Sequence, residues 1–172
     1  PFGIRIMNNS NDIKIFNNSI NLYGIQQPNS NYENGSLSSC ILISNSLRLD
    51  IRNNVFSNTL QGLAGSNPIC VAFLGNISFY SMNYNDFYYV LPDGKFGYYV
   101  NQWANTLTLW QNGLSLDLNS MEAFPNFTSD NNLFPLESSP LIAAGTYINN
   151  NPYDLLGNQR PLNPTIGAYE FN

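Results

Sequence analysis

Cys40-Ile41-Leu42-Ile43-Ser44-Asn45-Ser46-Leu47-Arg48-Leu49-Asp50-Ile51-Arg52-Asn53-Asn54 is the stretch whose reading decides the fold. Its second half alternates apolar and polar residues at Leu47, Leu49 and Ile51, the period of a strand with one buried face. Laid without a gap over residues 70–84, it places Cys40 on Cys70, Leu42 on Ala72, Leu47 on Ile77, Leu49 on Phe79 and Asn53 on Asn83. Residues 4–20 align with the same block. Ile4 meets Cys40, Ile6 meets Leu42, Asn9 meets Asn45, Ile13 meets Leu49, Ile15 meets Ile51, Asn17-Asn18 meet Asn53-Asn54, and Ile20 meets Phe56. The offsets are 36 and 30 residues, and the length variation falls between the blocks, at roughly 21–39 and 57–69.

A repeat of this length is the signature of stacked supersecondary units. Each block carries two short strands with polar residues between them. Asn tolerates the left-handed backbone that lets a chain turn a corner. If each block is one coil, equivalent residues stack about 4.8 Å apart. Ile13, Leu49 and Phe79 then form an inward ladder, and Asn17, Asn53 and Asn83 form an amide ladder at a bend. A β-sandwich with accidental self-similarity is the competing architecture. The solenoid is preferred because both gapless alignments share apolar and Asn positions. Cys40 and Cys70 fall at one coil position, within reach of a disulfide. Their parallel side-chain directions make that bond awkward, so buried free thiols are expected.

Composition agrees with an ordered β protein. Of 172 residues, 43% are hydrophobic and 14% aromatic, which argues against disorder. Only 10% are charged, against about 25% in ordinary globular chains, and Asn fills the polar positions instead. The net charge is −5, and the six cations (Arg5, Lys14, Arg48, Arg52, Lys95, Arg160) are scattered along the chain. Without a basic patch, neither nucleic acid nor an anionic membrane surface is an expected partner. No apolar run approaches the 18 residues of a membrane-spanning helix. The chain has no His, the commonest general base and metal ligand.

After Phe87 the repeat breaks. Tyr88–Val100 reads as a hairpin around Pro92-Asp93-Gly94. Asn105 or Thr106 is placed to cap a short helix that Gly113 would end. Residues 1–87 are therefore expected as regular coils, and 88–172 as hairpin, short helix and closing coils or cap, in one domain 1–172.

The second half also resembles a known family. Met82-Asn83-Tyr84-Asn85-Asp86-Phe87-Tyr88, Leu109-Trp110-Gln111-Asn112-Gly113 followed by Asp117 and Ser120, and Phe124-Pro125-Asn126-Phe127 come first in the series. Ser139-Pro140-Leu141-Ile142-Ala143-Ala144-Gly145, Asp154-Leu155-Leu156-Gly157-Asn158-Gln159-Arg160-Pro161 and Ile166-Gly167-Ala168-Tyr169-Glu170 complete it. In this order and spacing they are similar to the C-terminal region of bacterial right-handed parallel β-helix surface proteins of pectate-lyase-like fold, the choice-of-anchor Q type. Ala144 and Leu156 depart from that pattern, where relatives carry polar residues. The resemblance implies an all-β, right-handed parallel β-helix at the cell surface or secreted from a bacterium. It also implies that the chain is a piece of a longer one, with further coils upstream and a sorting or anchoring domain, of type IX kind, downstream.

Several residues are candidates for function. Arg160, with Glu170 or Asp154, is expected to make a charge-assisted bond that fixes the closing series as a cap on the end of the stack; Arg160 binding an acidic sugar is the functional alternative. Asp50 with Arg48 and Arg52 alternates with Leu49 and Ile51, so these three fall on the outer face. A surface ion-pair cluster is the expectation there, and a lyase-like site the alternative. Tyr80, Tyr84, Tyr88, Tyr89, Tyr98, Tyr99 and Trp103 concentrate around the third block and the hairpin. Tyr and Trp suit sugar rings, so Tyr88, Tyr89, Tyr98, Tyr99 and Trp103 are the candidate glycan contacts, against packing of the hairpin on the core. No catalytic residue, metal site or cofactor is predicted. The leading expectation is a non-catalytic, adhesin- or stalk-like extracellular module whose partner is a polysaccharide or another surface protein. The alternative is the C-terminal part of a carbohydrate-active β-helix enzyme, a polysaccharide lyase or glycoside hydrolase, with its active coils upstream.

Overall fold

The structure is a computed structural model, described here for residues 1–7, 9–25, 37–61, 67–90 and 95–171. It is strand-rich, all-β in class, with two parallel sheets that the chain visits alternately. The first pass runs through β1 (Phe2–Ile6) and β2 (Lys14–Phe16) of one sheet to β3 (Ser19–Leu22) of the other. The second runs through β4 (Leu37–Arg52) to β5 (Val55–Asn58), and the third through β6 (Asn67–Asn83) to β7 (Asp86–Tyr89). Each strand lies parallel to its counterpart in the next pass, so the sheets have the orders β1-β4-β6 and β3-β5-β7.

Left-handed residues make the corners. Asn9, Asn45 and Gly75 share one corner, with φ of 60°, 51° and 71°. Glycine is required at the third, because a Cβ there would stand 2.2 Å from Asn45 Oδ1, which accepts the Asn76 N–H at 3.1 Å. Asn17, Asn53 and Tyr84 share another corner, with φ of 54°, 57° and 55°.

The alignment expected from sequence holds at Lys14↔Asp50, Ile20↔Phe56, Leu42↔Ala72 and Leu49↔Phe79. It slips by one residue elsewhere. Ile4 lies beside Ile41 rather than Cys40, and Ile6 beside Ile43, so these side chains join the inner core. An irregularity between Leu49 and Asp50 shifts the next pairs to Asp50↔Ser81 and Arg52↔Asn83, and Ile77 sits opposite Ser46 instead of Leu47.

The amide ladder runs Asn18–Asn54–Asn85, one residue beyond the predicted Asn17 and Asn53 and two beyond the predicted Asn83. Asn54 Oδ1 accepts the main-chain and side-chain N–H groups of Asn18 at 3.0 and 2.9 Å. Asn85 Oδ1 accepts those of Asn54 at 3.0 and 3.1 Å. Ser120 and Asp117 close the row: Asn85 N–H donates to Ser120 Oγ at 2.8 Å and Asn85 Nδ2 to Asp117 Oδ1 at 3.0 Å.

The core lies between the sheets and is built from Ile15, Ile41, Ile43, Leu49, Ile51, Phe56, Val71, Phe73, Met82 and Phe87. Cys40 and Cys70 are buried free thiols at equivalent positions, flanked by the pairs Ser39↔Ile69 and Ile41↔Val71. Burial pushes both thiols well above their ordinary pKa.

The predicted hairpin over Tyr88–Val100 is not formed. Tyr88 and Tyr89 belong to β7 and pair with β5, while β8 (Gly97–Tyr99) starts a fourth pass beside β6. The Pro92-Asp93-Gly94 turn lies wholly outside the described residues. The hairpin present joins β8 to β9 (Gln102–Ala104) through Val100 and Asn101, both at positive φ. Positive φ at both turn residues matches the strand twist in a two-residue loop.

Helix α1 (Leu107–Leu114) follows, capped by Thr106, whose hydroxyl accepts the Leu109 N–H. It ends past Gly113, on Ser115 in the left-handed region. Trp110 of α1 packs on Phe73 and Phe96 at ring-centroid separations of 5.9 and 5.3 Å, and so covers the core where a fourth strand pair would otherwise lie.

The closing series, expected over the end of the stack, lies instead along its flank. After the hairpin β10 (Phe127–Ser129) and β11 (Asn132–Pro135), the chain runs back toward the first pass. Leu141 and Ile166 bury the outward face of Val55; Gly167 N–H donates to Asn53 O and Ala168 N–H to Ser19 Oγ. Among the described residues no helix is long and apolar enough to cross a membrane.

Candidate functional site

The five candidate aromatic contacts do not form one surface, because strand alternation divides them. Tyr89 and Tyr99 turn inward. Tyr89 is buried, and its hydroxyl donates to Glu122 Oε1 at 2.7 Å and Asn105 O at 3.1 Å. Burial and then the Glu122 carboxylate raise its pKa above the ordinary tyrosine value. Tyr99 meets Phe79 and Trp110 in the core. Tyr88 is half-buried against Phe124, at 5.1 Å. Only Tyr98 and Trp103 share an outer face. They are cross-strand partners in β8 and β9, with ring centroids 4.8 Å apart. Lys95 Nζ stands 4.2 Å from the centre of the Trp103 ring, which is 43% exposed. This trio joins an aromatic surface to an ammonium group.

The outer face of β2 and β4 carries the charged candidates. Arg48 pairs bidentately with Asp12, at 2.6 Å for both bonds, and Arg52 with Asp50 at 2.7 and 2.8 Å. The surface ion-pair cluster expected around Asp50 is divided into two pairs, of which Arg48–Asp12 is exposed while Asp50 is buried, and Asp12 lay outside that expectation. Its signal was available, since Asp12 and Arg48 are separated by the repeat offset of 36. The Arg48 hydrogen bond holds the Asp12 carboxyl below its usual range, and Asp12 raises the Arg48 pKa. A guanidinium held this way is a poor general base. Arg52 also lies over the Phe16 ring, at 5.1 Å. These pairs, with Lys14 and the 79%-exposed Tyr80, line an open groove of about 370 Å³. It collects three cations against two carboxylates on a chain of net charge −5.

Arg160, Glu170 and Asp154 come together as predicted, in the flank rather than at the end of the stack. Arg160 and Glu170 form a salt bridge with both side chains 3% exposed. The guanidinium also donates to the carbonyls of Thr165 (3.2 Å), Gly167 (2.9 Å) and Tyr153 (3.4 Å). Glu170 Oε2 accepts the Thr165 N–H, and Asp154 Oδ2 accepts the Glu170 N–H. Burial alone would raise the Asp154 pKa, but N–H donors from Glu170, Asn158 and Leu156 outweigh it and hold the carboxyl below its ordinary value. With its donors committed, Arg160 serves structure here rather than an acidic sugar.

Two carboxyls of the family series, Asp86 and Asp117, are buried. Asp117 accepts from Trp110 Nε1 (3.0 Å), Asn85 Nδ2 and Ser120 Oγ, yet burial still pushes its pKa up to about 6. Asp86 is fully buried, accepts the Ala123 N–H, and is pushed well above the carboxylate range by burial. Neither lies in a metal-type cluster: among the described residues no three His, Cys, Asp or Glu side chains gather in that way. Comparison of the chain with protein-family models, curated proteins and solved structures finds no match.

Proposed function

We propose that the chain is a right-handed parallel β-helix module of a larger secreted or cell-surface bacterial protein. In this reading it is non-catalytic, adhesin- or stalk-like, and contacts glycan through Tyr98, Trp103 and Lys95. Three passes laid parallel at near-constant register support the β-helix part, and parallel crossovers take the right-handed sense in about 98% of cases. A stack locked by a buried amide ladder is a stiff rod, which suits a stalk.

The observation that carries the glycan contact is the half-exposed Trp103 with Lys95 at its ring and Tyr98 at its side. An aromatic face beside an ammonium group fits a carboxylated sugar, which would exchange the Lys95–ring contact for a Lys95–carboxylate bond. The alternative is the C-terminal part of a carbohydrate-active β-helix enzyme with its active coils upstream, and the groove of Lys14 and Tyr80 is the place in this chain where a lyase-like site was weighed. There both arginines are already committed to carboxylates, which favours the binding role.

The chain has two tryptophans, and Trp110 is 2% exposed, so a change in emission from added glycan reports on Trp103. Titration with polygalacturonate and with a neutral glucan, alongside an assay for released sugar ends, tests the reading. Saturable quenching by the acidic polymer that is lost in Trp103→Ala, with no released ends, is the expected result. Released ends would favour the enzyme, and no quenching by either polymer would remove the glycan contact.

A further inference from the structure

The two ends of the amide ladder differ. Each later rung makes the same two contacts with the pass before it. Its Oδ1 accepts the main-chain and side-chain N–H groups of the preceding Asn, and its Nδ2 donates to a carbonyl shortly before that Asn. Asn54 does so with Asn18 and with Ile15 O at 2.9 Å, and Asn85 with Asn54 and with Ile51 O at 3.0 Å. Asn18 is half-buried, and among the described residues no donor reaches its Oδ1. Asp117 and Ser120 close the row at the far end, and no described residue closes it at Asn18.

Two further features share this end. β1 and β3 are the outermost strands of their sheets among the described residues. In a parallel ladder alternate residues bond to one neighbour. Ser39 N–H donates to Pro1 O, which turns the N–H and C=O groups of Phe2, Ile4 and Ile6 to the free edge. Inside, Ile4, Ile6 and Ile20 are only partly buried, although their counterparts Ile41, Ile43 and Phe56 are fully so. The flank segment, meanwhile, runs one level past the first pass. Leu141 and Ile166 cover Val55 of the second pass, Ser19 of the first pass holds Ala168, and Leu155 N–H donates on to Ala168 O at 2.9 Å. Tyr153 and Leu155, 58% and 71% exposed, thus overhang the end, and a cavity of about 460 Å³ lies between them and Ile4 and Ile20.

We infer that this end is the seat of one further coil of the same polypeptide, laid parallel on β1 and β3, with an Asn at its bend that donates its main-chain and side-chain N–H groups to Asn18 Oδ1. This takes the chain as a module of a larger β-helix protein, as proposed above, and specifies the contact. The coil supplies aliphatic side chains over Ile4 and Ile20, main-chain partners for Phe2, Ile4 and Ile6, and an apolar residue against Leu155. The ladder selects this occupant. A second copy of the chain would present the same end with its strands antiparallel, and so brings no Asn to Asn18 in ladder register. A sugar polymer offers neither the apolar side chains nor the alternating main-chain groups that a strand edge takes.

The test places a copy of residues 38–67 directly before Pro1 of the full chain. Ser39 pairs with Phe2 on one side and Ile69 on the other, so the join from residue 67 to Pro1 repeats the native join to Pro68. The copied Asn54 then meets Asn18 as Asn54 meets Asn85. Exchange of the Ile4 and Ile6 amides should slow by about a hundredfold or more relative to the unextended chain, and the Asn18 side-chain resonances should shift. Asn54→Ala within the copy should remove most of that slowing. Leu155→Ala should lower the urea midpoint of the extended chain and leave that of the unextended chain unchanged. Unslowed exchange, equal protection by the copy with and without its Asn, or a Leu155→Ala effect of the same size in both chains would overturn the assignment. So would a dimer of the unextended chain, seen in sedimentation, that protects Ile4 and Ile6. Protection of the β4 amides in the unextended chain is read alongside. Its absence would sink the β-helix reading and this assignment with it, and its presence with unslowed Ile4 and Ile6 would sink the coil seat alone.

Discussion

Replacing Asn54 with Ala should be among the most destabilising single changes in the chain, because Asn54 is the middle rung of the amide ladder. Its residue is fully buried. Its Oδ1 accepts two N–H groups of Asn18, and its Nδ2 donates to Ile15 O at 2.9 Å, Arg52 O at 3.0 Å and Asn85 Oδ1 at 3.1 Å. The main-chain bond from Asn54 N–H to Asn85 Oδ1 survives the substitution. What is lost is the side-chain contact to the first pass, with its partners for the Asn18 N–H and the Ile15 carbonyl. A buried group left without its partner costs about 1–3 kcal/mol, so two such groups imply roughly 3–5 kcal/mol after partial relaxation. Domains of this size are stable by about 5–15 kcal/mol, so about a fifth or more of the total is at stake. Asn18→Ala is the control. Asn18 is half-buried at the end of the row, and its loss should cost about 1–2 kcal/mol. Urea unfolding followed by circular dichroism gives both values from the shift in midpoint at constant slope. A loss below about 1 kcal/mol at Asn54, or equal losses at Asn54 and Asn18, would refute the idea that the ladder couples the passes.

Arg160→Ala should cost about 3–5 kcal/mol, because it strands Glu170 as a buried charge, and Arg160→Lys should not restore the loss, since an ammonium cannot reach Thr165 O, Gly167 O and Glu170 together. An unchanged urea midpoint for Arg160→Ala would show that the flank segment is held by something else. Asp117 has a folded pKa of about 6 against 3.8 in the ordinary state, so its contribution is fully present below pH 3.8 and is lost as pH rises through about 6. Two pKa units correspond to at most about 3 kcal/mol. Asp117→Asn should therefore flatten the stability profile between pH 4 and pH 7 (roughly the window that the shift defines), and a wild-type profile that rises over that window would contradict the assignment. Cys40 and Cys70 are buried with raised pKa values, so a thiol reagent should label both only as fast as the chain unfolds. Labelling of either faster than global unfolding would count against their burial.

Much of the fold could be read in the sequence because strand alternation is a local property. Leu49 and Ile51 face inward whatever their partners are, and the separations of 36 and 30 residues place them beside Lys14–Phe16 and Phe79. The register could not be read to the residue. A one-residue slip exchanges faces, and the irregularity after Leu49 sets Asn85 rather than Tyr84 beside Asn54 without altering the alternation on either side. The hairpin prediction failed for a related reason. Tyr88-Tyr89 and Tyr98-Tyr99 are good strands, but strand propensity does not name the partner, and each found a parallel neighbour in the preceding pass.

The candidate site divides along the same line. Arg160 with Glu170 and Asp154 was legible because a lone cation among Pro, Gly and Asn has few partners. Their place on the flank depends on where Leu141 and Ile166 find Val55, more than 80 residues earlier in the chain. The sequence by itself determined the repeated strands, the inward faces of Leu49 and Ile51 and the equivalent placing of Cys40 and Cys70, all of which follow from the repeat and its strand alternation. Only the tertiary structure decided which tyrosines meet water, which Asn lacks a partner and where the closing series lies, because each depends on a register or a long-range contact that local pattern leaves open.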